Sequence, residues 1–272
     1  CCPIPSETSV QAGGFFRTFI RILKQGYRLR AYANLASALI TKLAVSNHLD
    51  GEDIRAIQSL RIRERHLGAR EIIVADGVRP GECCLIVEGF AFRSKTTADG
   101  ERQVLSLHIP GDIPDLQSLH LGIMDHDLVS LSPCTLGFIS HAELTEVTAR
   151  HPHLAAALWR ETLIDGSIFR EWIVNVGRRA ALQRMAHLLI EVHERLEAIG
   201  RTRGGEFSLP ITQIDLGDCL GLSVVHTNRT LQALRGERLV ETDKSGFNLL
   251  DQERLKDLAG FDRAYLHLTP SR

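Results

Sequence analysis

ITQIDLGDCLGLSVVHTNRTLQALRGERLV, residues Ile211 to Val240, is the stretch on which the reading of this chain turns. It divides into two short helices about a tight turn. Thr212 caps the first helix, and Asp215, three residues on, completes a short-armed capping box. Ile214, Leu216 and Leu220 form the apolar side of that helix, and Gly221 supplies the turn. Ser223 caps a second helix, on which Val224, Thr227, Leu231 and Leu234 recur at helical spacing. No carboxylate stands between Cys219 and Gly236, whereas Arg229 and Arg235 do. The pattern suits a helix-turn-helix whose second helix enters a DNA major groove. An ordinary helical hairpin shares it, and the next residues separate the two readings. Leu239-Val240-Glu241-Thr242 and Phe247-Asn248-Leu249-Leu250 flank the turn Asp243-Lys244-Ser245-Gly246. That is a β-hairpin, and in this position it is the wing of a winged helix. The expected partner is double-stranded DNA.

Composition sets the frame around this segment. The 272 residues are enough for two domains, and 44% hydrophobic with 24% charged residues is ordinary globular composition. A net charge of −1 means that any nucleic-acid site is a local patch, since the molecule as a whole is not basic. The six cysteines, Cys1, Cys2, Cys83, Cys84, Cys134 and Cys219, form neither a C-x2-C metal spacing nor a small-domain disulfide framework. They read as reduced thiols in a cytoplasmic protein. No apolar run approaches the roughly 18 residues of a membrane span, so no membrane partner is expected.

Upstream, the chain changes texture three times. Residues 1–38 form a basic extension: between Glu7 and Asp50 there is no acid, but Arg17, Arg21, Lys24, Arg28 and Arg30 lie among Phe15, Phe16, Phe19 and Ile20. A transit-peptide-like segment, a helix touching membrane or DNA phosphates, and a simple extension before the first domain all fit that composition. Residues 39–152 read as a β-roll: a helical piece, Asp50 to Leu60, precedes strand-like runs at Glu71–Ala75, Cys83–Val87, Phe90–Ser94, Arg102–His108 and Thr135–Ser140. Gly-containing turns separate these runs. Residues 153–177 form one long helix. Ala155, Trp159, Thr162, Gly166, Phe169, Ile173 and Val176 advance in uncharged steps of four and three, a coiled-coil seam for a second copy of the chain. Leu154, Leu158, Ile168 and Trp172 make a neighbouring stripe for the chain's own β domain. The remainder, 178–272, holds the winged helix, introduced by a helix through Leu182, Met185, Leu189, Val192, Leu196 and Ile199.

Taken in this order, the parts resemble the CRP/FNR superfamily of bacterial transcription regulators. The resemblance rests on Leu85-Ile86-Val87-Glu88-Gly89, Asp99-Gly100-Glu101-Arg102-Gln103-Val104-Leu105 and Pro110-Gly111-Asp112 in the roll. In the reader it rests on Leu220-Gly221-Leu222-Ser223 and Asn228-Arg229-Thr230-Leu231, and in the tail on Ala259-Gly260-Phe261-Asp262 with Tyr265-Leu266, as in α-proteobacterial members. It covers about Leu39 to Leu268. The resemblance implies an α+β chain with an N-terminal β-roll of the cyclic-nucleotide-binding type, a dimerisation helix and a C-terminal winged helix-turn-helix. It further implies a homodimer on a pseudo-palindromic operator, with reader helices about 34 Å apart and RNA polymerase as a partner.

Departures from the family pattern bear on the effector. Cyclic-nucleotide-binding members place Gly-Glu-Leu and then Arg-Ser or Arg-Thr around the phosphate. Here the first segment is Pro110-Gly111-Asp112-Ile113-Pro114-Asp115-Leu116, and the second appears as His126-Asp127. A carboxylate at the phosphate position, with no nearby arginine to replace the missing one, makes cyclic AMP and cyclic GMP unexpected effectors. The candidate pocket residues are Asp112, Asp115, Met124, His126 and Asp127, although Ser118–Ser130 also reads as a solvated loop with a capping aspartate. The adjacent Cys1-Cys2 cannot reproduce the spaced cysteines of the iron–sulfur branch. His108, His120, His126 and His141 are candidate haem ligands, each with an ordinary structural role as alternative. No cofactor, metal or small-molecule effector is assigned.

For DNA the candidate contacts are Ser223, Val225, His226, Asn228, Arg229, Arg235 and Lys244. Arg229 matches the family arginine that reads guanine through O6 and N7. Val225 suits a thymine methyl, Asn228 an adenine or a phosphate, and His226 and Arg235 phosphates. The dimer seam is Trp159, Thr162, Gly166, Phe169 and Ile173. Two other functions stay open at this point: a cupin-like metal-dependent enzyme using Asp125, His126 and neighbouring histidines as metal ligands, and a ligand-independent architectural DNA-binding protein.

Overall fold

The structure is a computed structural model, and it describes residues 35–243 and 246–269. The basic extension expected over residues 1–38 lies, as far as residue 34 and with Cys1 and Cys2, outside the described residues, as does the contact expected of Lys244.

Helix α1 (Leu35–Ser46) buries Ala36, Leu39, Ile40 and Leu43, and so spans the expected 38/39 boundary as part of the roll's packing. Asp50 caps α2 (Gly51–Gln58), accepting from the Glu52 and Asp53 amides at 2.7 and 2.9 Å. The roll then follows as β1 (Arg63–Leu67), β2 (Ile72–Val74), β3 (Glu82–Glu88), β4 (Ala91–Thr96) and β5 (Arg102–His108). A single-turn helix α3 (Ser118–Leu121), β6 (Asp127–Ser130) and β7 (Cys134–Ser140) complete it. One sheet has the order β1-β7-β3 and the other β2-β6-β4-β5, with all described pairs antiparallel. Leu67, Ile86, Leu128, Leu136 and Phe138 pack between them. All four described cysteines, Cys83, Cys84, Cys134 and Cys219, are buried and unbridged.

Two strands of the roll escape sequence reading. Strand β1, with the sequence RERHL, is exposed at every position but Leu67 and exists because β7 pairs with it along one edge. Strand β6 lies in the segment expected to be a solvated loop. Met124 is buried, and Asp127 to Ser130 pair with Ser94 to Ala91 of β4.

After α4 (His141–Arg150) comes the long helix α5 (Pro152–Arg178), with proline in its first turn. Leu154, Leu158, Ile164, Ile168 and Trp172 are buried against the chain's own core, as the second stripe requires. On the opposite side Trp159, Leu163, Ile173 and Val174 are exposed, by 65%, 56%, 72% and 45%, which leaves a large apolar face unburied in one copy of the chain.

Helix α6 (Ala181–Ala198) opens the reader. Its buried residues Met185, Leu189, Val192 and Leu196 share a single core with Phe92, Val104 and Leu107 of the roll and Leu216, Leu220 and Leu234 of the reader helices. Short strands β8 (Thr202–Arg203) and β9 (Glu206–Ser208) precede α7 (Gln213–Leu220) and α8 (Val224–Gly236), and β10 (Val240–Thr242) with β11 (Gly246–Leu249) forms the wing. The wing sheet has the order β10-β11-β9-β8. Helix α9 (Gln252–Ala259) and a 3₁₀ turn (Arg263–Leu266) pack back on α6 and α5.

Candidate nucleic-acid interface and effector cavity

The two reader helices have the caps that the sequence calls for. Thr212 Oγ1 accepts from the Asp215 amide at 3.2 Å, while Asp215 Oδ2 accepts from the Thr212 amide at 3.2 Å. Ser223 Oγ accepts from the His226 amide at 3.3 Å. Gly221, at φ +62°, ends α7 in the left-handed region that favours glycine. Gly217 matters for a second reason: a Cβ there would stand 2.6 Å from the Leu222 carbonyl oxygen, so only glycine lets the turn close on α7. Two assignments need correction. Ile214 is 57% and Val224 45% exposed, because Gly217, Cys219 and Thr230 take the inward positions instead.

On α8 the buried residues are Thr227, Thr230, Leu231 and Leu234. At about 100° per residue, Val225, Asn228, Arg229 and Gln232 fall within one arc opposite them, and all four are exposed. His226 and Arg235, also exposed, flank this arc on either side. Asn228 Nδ2 donates to Gln213 Oε1 at 3.0 Å, so its amide is oriented by the first reader helix. Sequence patterning alone does not single out Gln213 and Gln232. Both belong to the exposed surface by their helical position, which becomes visible only once the buried face is fixed.

The reader is tied to the roll through α7. Both Arg70 and Arg102 pair with Asp215, which is 1% exposed; Arg102 Nη2 lies 2.8 Å from Asp215 Oδ1 and Arg102 Nε 2.7 Å from Asp218 Oδ2. Burial opposes ionisation of Asp215, yet the hydrogen bonds from Arg70 and Thr212 hold its carboxyl below the usual range. Gln103 Nε2 adds a 2.6 Å bond to the Asp218 carbonyl.

A cavity of about 340 Å³ lies between α1, the roll and α5. Asp112 and His126 line it, whereas Asp115, Met124 and Asp127 do not. Asp115 accepts from the Cys84 amide at 2.7 Å, and burial pushes its carboxyl up to about 7. Asp127 turns away and accepts from the Asp76 amide at 2.9 Å. The expectation that no cation stands nearby is also corrected: Lys42, Arg93 and Arg195 all reach the cavity wall. Each is already paired. Lys42 Nζ is 2.9 Å from Asp112 Oδ1, Arg93 Nη1 2.5 Å from Asp165 Oδ2, and Arg195 Nη2 2.9 Å from Asp112 Oδ2. Burial opposes the charge on Asp112, but Lys42, His108 and Arg195 outweigh it and keep this carboxyl well below the usual range.

The four candidate histidines do not all meet at one place. His108 and His126 line the cavity, and His120 and His141 do not. Burial, with Arg93 nearby, pulls His108 down to about 4. Neither does a cupin-like metal site form at Asp125 and His126. Among the described residues the grouping of three ligand-type side chains is Asp50, Asp53 and His153, where both carboxylates already cap α2.

Of the seam residues, Trp159 and Ile173 are exposed and Thr162 and Gly166 half-buried. Phe169 turns toward the cavity beneath the Arg93 guanidinium, 5.2 Å from its ring centre. Thr162 and Gly166 line the same cavity, so this helix forms both its wall and the exposed stripe. Among the described residues no helix is long and apolar enough to cross a membrane.

Comparison with known proteins agrees with this architecture. Residues 183–258 match the family described as Crp-like helix-turn-helix domain, and residues 64–151 match the cyclic nucleotide-binding domain. The transcriptional activator protein FnrL of Cereibacter sphaeroides is 26% identical over 80% of this chain and 89% of its own. The nitrogen fixation regulation protein FixK of Bradyrhizobium diazoefficiens is 26% identical over 79% and 90%. The solved structure of FixK2 from Bradyrhizobium japonicum superposes with a TM-score of 0.66 at 23% identity, over 73% of this chain and 98% of that one. A cyclic-nucleotide-binding-type domain followed by a Crp-like helix-turn-helix, together with relatives aligned over about four fifths of the chain, places the chain in the CRP/FNR superfamily as a transcription regulator with a helix-turn-helix DNA-binding domain.

Proposed function

We propose that this regulator works as a homodimer, pairing through the exposed stripe of α5, and binds a pseudo-palindromic operator with one α8 in each of two successive major grooves. The observation that carries the proposal is the exposed arc of Val225, Asn228, Arg229 and Gln232, which stands opposite the buried face of α8. Arg229 reads a guanine, Val225 packs on a thymine methyl, and Asn228, held by Gln213, reads or positions its neighbour. Ser223, His226, Arg235 and Lys244 contact phosphates. A DNA target and buried free thiols suit a cytoplasmic protein acting with RNA polymerase. The cavity behind α5 receives a small-molecule effector. Cyclic AMP and cyclic GMP do not fit it: Lys42, Arg93 and Arg195 face four carboxylates, Asp112, Asp125, Glu161 and Asp165, so the wall carries one net negative charge.

The test is selection from a randomised operator library by the full chain and two variants at two salt concentrations. A bidentate arginine–guanine pair contributes about 1–3 kcal/mol of discrimination. Arg229→Ala should therefore relax selectivity at one G·C position in each half-site and keep weak non-specific binding. Arg235→Ala should weaken all sequences alike and lower the salt slope by about one contact. If Arg229→Ala retains the sequence preference and Arg235→Ala loses it, this placement of α8 on DNA is wrong.

A further inference from the structure

The segment after the wing has no task in DNA reading, although the sequence marks it as Ala259-Gly260-Phe261-Asp262 with Tyr265-Leu266. It lies across the junction of α5 and α6. That junction consists of Arg179 and Ala180, both extended, with ψ of 148° and 158°. Extended linker residues have soft backbone dihedrals, so the linker by itself does not fix the angle between the two helices. Side chains have to hold it. Close to the junction, Asn175 Nδ2 of α5 donates to the Arg184 carbonyl of α6 at 3.3 Å.

Further along, the tail completes the hold. Glu191 of α6 is buried and accepts from Trp172 Nε1 of α5 at 2.9 and 3.1 Å. Its Oε2 also accepts from the Tyr265 hydroxyl of the tail at 2.7 Å, and Arg195 Nη1 lies 3.6 Å from Oε1. One buried carboxyl therefore joins the long helix, the first reader-domain helix and the tail. Around it, the buried ring of His187 stacks on Tyr265 with centres 5.9 Å apart and meets Phe261 edge-on at 5.2 Å. Leu266 is buried in the same apolar cluster as Trp172 and Met185. Arg263 Nη1 lies 3.3 Å from Glu194 Oε2, and Lys256 Nζ 3.2 Å from Glu194 Oε1. At the linker, Arg179 Nε donates to the Ala259 carbonyl at 3.1 Å while its Nη2 reaches Glu171 Oε1 of α5 at 2.6 Å. Swinging α6 away from α5 would part Glu191 from Trp172 or Tyr265 and leave a buried acceptor short of a donor, which is unfavourable. These contacts favour one angle. The angle matters because α6 shares its core with α7 and α8, whereas α5 carries the exposed apolar stripe. In a dimer paired through α5, the turn at Arg179-Ala180 sets how far apart the two α8 helices stand. One base pair of operator spacing corresponds to about 3.4 Å and about 34° of rotation.

We propose that Phe261 to Leu268 form a strap, anchored by Tyr265 on Glu191, that fixes the angle between α5 and α6 and so makes the regulator selective for the spacing of its two half-sites. Tyr265 is a positioning residue, acting through α6 rather than on the bases, and the inference rests on the homodimer reading above. The test uses the full chain and the operator recovered by the library selection. Fluorescence anisotropy measures binding to that operator, to versions with the spacer one base pair longer or shorter, and to a duplex with a single half-site. Wild type should lose about tenfold in affinity when the spacer changes by one base pair, since the DNA has to be twisted to fit. Tyr265→Ala should lose only about threefold or less, with single half-site affinity within about twofold of wild type. Tyr265→Phe keeps the ring on His187 and removes only the hydroxyl; it should fall between the two, and it decides alone if Tyr265→Ala does not fold. A purely structural role would weaken half-site and operator by the same factor and leave the spacing ratio unchanged. That result, or a wild-type spacing ratio in every folded variant, overturns the strap and leaves the dimer intact. If wild type itself tolerates all spacers alike, or sediments as a monomer, the homodimer reading fails and the strap's role in spacing falls with it.

Discussion

Removing both arginines that reach Asp215 is the perturbation for which the structure gives the clearest magnitude. Asp215 is 1% exposed, while the side chains of Arg70 and Arg102 are 38% and 28% exposed. Taking away either guanidinium leaves the other in place. A hydrogen bond to a charged group contributes about 1.5–3 kcal/mol, and partial exposure puts each single variant near the low end of that range. Taking away both strands a buried carboxylate, for which about 3–5 kcal/mol is lost. Arg70→Ala with Arg102→Ala should thus destabilise the chain by clearly more than the sum of the two single changes. Adding Asp215→Asn to the double variant removes the stranded charge and should recover most of the loss, since an asparagine oxygen can still accept from the Thr212 amide. Urea unfolding of the full chain, followed by far-ultraviolet circular dichroism, measures all four species. A double variant within about 1 kcal/mol of wild type, or no recovery on adding Asp215→Asn, would refute the claim that these arginines hold the first reader helix against the roll.

Three further outcomes follow from particular residues. Ile173→Glu and Trp159→Glu place charges on the exposed stripe of α5 and should give monomers in sedimentation; unchanged dimer mass in both rules that stripe out as the seam. Phe169→Glu, by contrast, should disturb the cavity beneath Arg93 as well as any pairing. Asp115 has a folded pKa of about 7 against 3.8 for the ordinary group, so its contribution to stability is complete below about pH 4 and lost as pH rises through 7. The slope is about 1.4 kcal/mol per pH unit. Asp115→Asn should flatten stability over that window relative to wild type, and an unaltered slope would show that Asp115 titrates normally.

The reader was legible in the sequence because its signals are local. Thr212 with Asp215, Ser223 with His226, and Gly221 at the end of a helix are all settled within three or four residues by backbone hydrogen bonds that any such helix must satisfy. The stripe of Leu154, Leu158, Ile168 and Trp172 was legible for the same reason, since helical periodicity repeats whatever the surroundings.

Other features depended on long-range packing. RERHL became a strand only because β7 offered it an edge. Ile214 and Val224 have the right residue type for a core and sit outside it: Ile214 stands about 200° round α7 from the buried Leu216, and Val224 lies in the first turn of α8, where Thr227 and Thr230 are buried instead. The cavity shows the same limit most clearly. His126-Asp127 suggested a carboxylate where a phosphate would sit, but strand pairing sends Asp127 to Asp76 and leaves His126 facing the cavity. Arg195 meets Asp112 across 83 residues and Arg102 meets Asp215 across 113. Local spacing fixes which atoms a residue offers and which way its own helix or strand can turn. Which distant charge neutralises it depends on how the sheets and helices pack, and no repeat in the chain encodes that.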